Sequence, residues 1–182
     1  LQADSLTTVS PAYAQEILIS GEGLEEELRS RQENLFGILN GVDYEVWNPE
    51  TDRDLWANYS AADCSGKEEN KERLLDELGL DADARTPLVG MISRLAEQKG
   101  FDLVMASFEH MLSLGIRFVL LGTGSPQIEE FFRSAAKRYP RQVAALITFS
   151  EQWAHRIEAS SDIFLMPSRF EPCGLNQMYS LR

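Results

Sequence analysis

Long apolar runs are absent from the 182 residues: none approaches the ~20 that a membrane-spanning helix needs. The N-terminus also lacks the basic, apolar and small-residue succession of a signal peptide. Basic charge is scarce. Seventeen Lys and Arg against 29 Asp and Glu leave a net charge of −12, which argues against a nucleic-acid or anionic-membrane surface as partner. A phosphate-bearing ligand stays open, because a few local cations outweigh a global field. Only two cysteines, Cys64 and Cys173, and two histidines are present, all scattered. Such a chain has no disulfide framework, fits a reducing compartment and offers no metal site. Glycine is short in one telling place: Gly122-Thr-Gly124 lacks the third glycine of a dinucleotide fingerprint, which disfavours a nicotinamide-dependent dehydrogenase.

What is present is ordinary for a soluble globular protein, with 43% hydrophobic and 25% charged residues. The length suits one domain with a sizeable core, or one domain and a remnant of another. No internal repeat or low-complexity tract is evident. Residues 1–36 are acidic and irregular, with a strand end at Thr7-Thr-Val9, a short helix from Pro11 to Ile17, a turn at Ser20–Gly23 and a weak helix over Leu24–Arg31. Phe36–Asp43 is an apolar run broken by Asn40-Gly41, a strong turn signal, and Trp47 to Ser65 reads as surface loop. From Lys67 the pattern turns regular. Helices are predicted over Lys67–Leu78, Phe101–Leu114, Pro126–Tyr139 and Glu151–Ser160. Buried strands are predicted over Leu88–Ile92, Ile116–Leu121, Val143–Phe149 and Ile163–Met166. Strands alternating with helices at this spacing demand parallel crossovers, so the fold class is α/β: a Rossmann-like parallel sheet with helices on both faces.

In such a sheet the loops after the strands share one edge, where ligands bind. After the first strand, Ser93-Arg94-Leu-Ala-Glu-Gln-Lys99-Gly100 sets two cations five residues apart ahead of a helix start, a device suited to a diphosphate; solvated surface cations are the plainer reading. Gly122 and Gly124 after the second strand permit close backbone approach. Phe149 after the third is either core or a ligand platform. His155 and Arg156 lie in a helix and suit a structural role. The fourth loop carries Glu171-Pro-Cys173-Gly174 ahead of a helix, as a carboxylate at the ligand edge or as a solvated Glu in a strand-to-helix turn.

Ser168-Arg-Phe-Glu-Pro-Cys-Gly-Leu175 closely resembles the donor-site loop of bacterial glycogen synthases and plant starch synthases, which are retaining glycosyltransferases of the GT-B fold. Thr8-Val-Ser-Pro-Ala-Tyr-Ala-Gln-Glu-Ile17, Gly37-Ile-Leu-Asn-Gly-Val-Asp43, Trp47-Asn-Pro-Glu-Thr-Asp52, Ser93–Gly100 and Leu121-Gly-Thr-Gly124 match the same family, so the resemblance runs along nearly the whole chain. It implies that residues 1–36 are a remnant of the N-terminal domain and that 37–182 are the C-terminal, nucleotide-sugar-binding half. With Leu1 in place of Met and a stop in mid-helix at Arg182, the chain is expected to be a fragment, inactive by itself.

The resemblance further implies that Arg94 and Lys99 grip the diphosphate of the donor. The backbone at Gly122 would lie beside the nucleotide, with Phe149 stacked on the adenine. Glu171 would lie by the donor glucose, with backbone N–H groups at Cys173 and Gly174 on its hydroxyls, and Asn40 would line the cleft. Cys173 is either a reactive thiol at a helix start or a packing residue. Many related transferases place a second Glu eight positions after the first; here Tyr179 stands there, a departure the synthases share. The implied partners are ADP-glucose, with UDP-glucose left open, and an α-1,4-glucan, without a cofactor. The implied compartment is the bacterial cytoplasm, or alternatively the plastid stroma. A non-catalytic nucleotide-binding module is the rival reading.

Overall fold

The structure, a computed structural model, describes residues 3–81, 83 and 85–182. Contacts divide it into two units. One comprises residues 1–42 and 171–178, the other 43–170 and 179–182.

The larger unit is built on four parallel strands, β3 (Leu88–Ile92), β4 (Arg117–Leu121), β5 (Val143–Leu146) and β6 (Ile163–Phe164), ordered β5-β4-β3-β6. This is the order in which a doubly wound sheet starts at a central strand, grows one way and then switches to the other side. The helices are α3 (Ser65–Glu77), α4 (Phe101–Ser113), α5 (Pro126–Arg138) and α6 (Glu151–Ser160). Alternation along the strands sorts side chains to the two faces. Val89, Met91, Phe118, Leu120 and Val143 pack with Phe101, Val104, Phe108 and Leu112 of α4 and with Ile128, Phe132 and Ala135 of α5. Leu88, Val119, Leu121 and Ala144 pack instead with Leu74 and Leu75 of α3 and Ile157 of α6. The expected two-faced α/β architecture is therefore present, with its helical apolar faces as read.

Two strands differ from expectation. The run to Phe149 leaves the sheet at Leu146, where Gly122 N–H closes the ladder on Leu146 C=O at 3.1 Å. The run Ile163–Met166, read as a buried strand, pairs only through Ile163 and Phe164 and only with β3. It is an edge strand in this sheet, and Ile163 is 50% exposed.

The stretch from Trp47 to Cys64 lacks regular structure, as read, yet it is anchored; Ser65, read with the loop, already opens α3. Asn70 of α3 is fully buried; its Oδ1 accepts from Trp56 N–H (3.0 Å) and Ala57 N–H (3.4 Å), and its Nδ2 donates to Ala57 C=O and Gly66 C=O at 2.6 and 2.7 Å. Asn40-Gly41 does not form the expected turn. The turn falls at Tyr44–Val46, where Asp43 Oδ1 accepts from Glu45 N–H at 2.9 Å.

In the smaller unit β1 (Leu6–Thr8) and β2 (Leu35–Gly37) form a parallel pair, accompanied by the short helices α1 (Pro11–Glu16) and α2 (Glu25–Ser30). The helix α7 (Leu175–Leu181) follows the Glu171–Gly174 loop. Among the described residues, no helix is long and apolar enough to cross a membrane.

Candidate functional site

Because the strands of the larger unit are parallel, the loops after β3, β4, β5 and β6 leave the same edge of the sheet. That edge is rigid at its root. Pairing continues past the strands: Ser93 N–H donates to Leu121 C=O (3.1 Å), Leu95 N–H to Thr123 C=O (2.9 Å) and Ser125 N–H to Leu95 C=O (2.7 Å). A Cβ on Gly122 would sit 1.9 Å from Ser93 O, so glycine is demanded there by the neighbouring loop irrespective of any ligand. The adjacent Gly124 N–H donates to Glu129 Oε1 at 3.0 Å, and this bond is the main reason that the Glu129 carboxyl lies below its ordinary pKa.

Arg94 is exposed and precedes a single 3₁₀ turn over Glu97–Lys99, whose last residue is the half-buried Lys99. Between them Gln98 takes a part that no local pattern assigns. Its C=O accepts from Arg169 N–H at 2.9 Å, and its Nε2 donates to Phe170 C=O at 3.1 Å. Its Oε1 lies 3.5 Å from Arg94 Nη2. Arg169 also pairs with Asp102 in the first turn of α4. The loops after β3 and β6 are thereby stitched into one rim that carries both cations. Phe149, beyond β5, is 84% exposed, so it is not a core residue. Ser150 follows it and caps α6 by accepting from Trp153 N–H at 3.3 Å. Arg94, Lys99, Gly122 and Phe149 thus share one edge of one sheet.

Glu171, Cys173, Gly174 and Asn40 belong to the smaller unit. Asn40 is exposed, three residues past β2; Glu171 and Cys173 are half-buried, and the Cys173 thiol is free. Gly174 is buried with φ +73°, and a Cβ there would meet the Gln177 amide at 2.0 Å. Pro172 C=O accepts from Ser10 Oγ at 2.6 Å, a contact across 162 residues that no local pattern foretells.

Tyr179 gains a definite place. Its ring stacks on Trp47 at 4.1 Å, and Trp47 stacks in turn on His155 at 3.9 Å. The buried His155 Nδ1 lies 2.5 Å from Asp52 Oδ2, the structural role read for it. Asp52, Asp54 and His155 bring potential ligand atoms within 4.8 Å of one another. Each already has a protein partner: Asp52 Oδ1 accepts from Asp54 N–H at 2.8 Å and Asp54 Oδ1 from Gln152 Nε2 at 3.3 Å.

Known proteins resemble the chain in both sequence and shape. It is 59% identical over 182 residues to a glycogen synthase of Anaeromyxobacter sp. (strain Fw109-5), covering 99% of the chain and 38% of that relative. With a glycogen synthase of Thermosipho melanesiensis it shares 49% identity over 184 residues, again 38% of the relative. The chain therefore spans somewhat over a third of the length of these curated relatives. Among solved structures, the catalytic domain of starch synthase IV from Arabidopsis thaliana, bound to ADP and acarbose, superposes with a TM-score of 0.92 at 44% identity, covering 98% of this chain and 38% of that one. TarM matches at a TM-score of 0.55 and 16% identity, a likeness of fold alone. No protein-family model matches the chain.

A doubly wound sheet with this order and this close a superposition defines the Rossmann-like class found in GT-B glycosyltransferases. Within that class the chain is similar, over nearly all of its own length, to glycogen synthases and to the catalytic domain of a starch synthase.

Proposed function

We propose that the complete protein carrying this chain transfers glucose from ADP-glucose to the non-reducing end of an α-1,4-glucan with retention of configuration. The observation that carries the reading is the stitched rim after β3 and β6, which presents Arg94 and Lys99 from a rigid root. Fixed cations and exposed backbone N–H groups suit the diphosphate, whose charge grows as it leaves. Exposed Phe149 offers its face to the adenine. Glu171 supports the reacting sugar, because a carboxylate stabilises the positive charge of an oxocarbenium-like state. Backbone N–H groups at Cys173 and Gly174 hold sugar hydroxyls, Gly122 borders the nucleotide and Asn40 lines the cleft. The ADP in the starch synthase IV structure supports an adenine nucleotide as donor. The division into 1–36, continuing a preceding domain, and 37–182, the nucleotide-sugar half, is part of the same reading, as is a cytoplasmic location.

Arg94→Ala and Lys99→Ala in the complete protein test it. Each removes a charge-assisted contact worth roughly 1.5–3 kcal/mol, so kcat/KM for ADP-glucose is expected to fall at least about tenfold. Unchanged kinetics in both variants would take these residues out of the site.

A further inference from the structure

The contact between Ser10 and Pro172 goes beyond the assignments above. Ser10 is only 7% exposed and precedes Pro11 at the first position of α1. Its Oγ accepts from Tyr13 N–H at 3.0 Å, which makes it the N-cap. A serine hydroxyl has one proton, and here it is directed to Pro172 C=O at 2.6 Å. The one hydroxyl therefore closes a helix and holds the carbonyl of the residue that directly follows Glu171.

Ser10 is itself held in place. Ile38 N–H donates to Thr8 C=O at 2.8 Å, just past the β1–β2 ladder. Ala14 N–H donates to Ser10 C=O at 3.0 Å, and the β2 backbone passes so close that a Cβ on Gly37 would lie 2.2 Å from that same oxygen. All of these groups lie in the smaller unit. A short, otherwise irregular loop that carries a reacting carboxylate needs such an anchor, since a misplacement of ~1 Å can cost about a hundredfold in rate.

We infer that Ser10 is a positioning residue for the Glu171 loop, acting through its hydrogen bond to the Pro172 carbonyl. The inference rests on the role given to Glu171 above. Three substitutions in the complete protein separate its two functions. Ser10→Thr keeps cap and donated proton. Ser10→Asp keeps a good cap acceptor but has no proton to give at neutral pH. Ser10→Ala loses both.

With ADP-glucose, Ser10→Asp and Ser10→Ala are expected to lower kcat about tenfold or more with KM little changed, and Ser10→Thr to restore most of it. Alongside, the alkylation rate of Cys173, resolved by peptide mass spectrometry, reports the loop without reference to transfer. It should rise several-fold in Ser10→Asp and Ser10→Ala and stay near wild type in Ser10→Thr. A wild-type Cys173 rate in Ser10→Asp and Ser10→Ala would overturn the anchor, whatever the activity. So would a kcat that falls only in Ser10→Ala, in step with a lowered Tm, because the hydroxyl would then be a helix cap alone. A wild-type protein that transfers no glucose, with the alkylation pattern as expected, would sink the proposed function and leave the anchor standing.

Discussion

In the proposed transfer, Glu171 differs from the cations of the rim in what it is asked to do. A carboxylate that binds ground-state hydroxyls and transition state equally would lower KM and leave the chemical barrier untouched; only preference for the charged state raises turnover. Glu171→Gln keeps size and one acceptor oxygen but removes the charge. In the complete protein it is expected to lower kcat about a hundredfold, roughly 2.7 kcal/mol, with KM little changed. Steady-state kinetics decide: a raised KM with kcat intact would make it a binding residue only. Glu171, Arg94 and Lys99 were nameable from sequence because family wording surrounds them. Gln98 sits in the same wording, but its bonds go to Arg169 and Phe170, more than 70 residues on, so its part is legible only in three dimensions. Phe149 shows the reverse: its place after a strand left core and platform open, and exposure removed the first.

At the scale of elements, α3 and α6 meet through polar groups that periodicity ignores. Lys67 of α3 donates to Ala159 C=O at 2.8 Å, near the end of α6, and burial lowers its pKa. Burial likewise raises the Glu158 carboxyl from 4.5 to about 7, against the opposing pull of Ser180 Oγ, which donates at 2.8 Å, and of Lys67. The folded state then holds this proton more tightly than the unfolded one. Its contribution is full below pH 4.5 and is lost as pH rises through 7. Glu158→Gln cannot titrate, so its stability relative to wild type should improve by on the order of 3 kcal/mol between pH 4.5 and 8. Paired thermal melts across that range check it; a constant difference would mean that Glu158 ionises freely. Helices came out of the sequence within about two residues because their apolar faces repeat at 3.6. Strand ends did not, since whether Phe149 or Met166 continues a ladder depends on a neighbour's length. Buried Asn70 was invisible for a related reason: a polar residue in a helix looks solvated until the loop that it holds is in place.

For the whole molecule, alternating strands and helices were enough to foretell a parallel sheet with both faces covered. The switch that places β6 beside β3 was not specified by any one residue, since it follows from which edges remain open once β3, β4 and β5 have paired. The proposed activity belongs to a protein of which the matched relatives are well over twice this length. Its central claim is retaining transfer from ADP-glucose, and the most direct test is to follow the complete protein with ADP-glucose and an α-1,4-glucan by proton NMR of the new anomeric linkage. Glucan elongation through α-linkages, with ADP released in equal amount, is the expected result. A β-linked product, or nucleotide binding without any transfer, would contradict it.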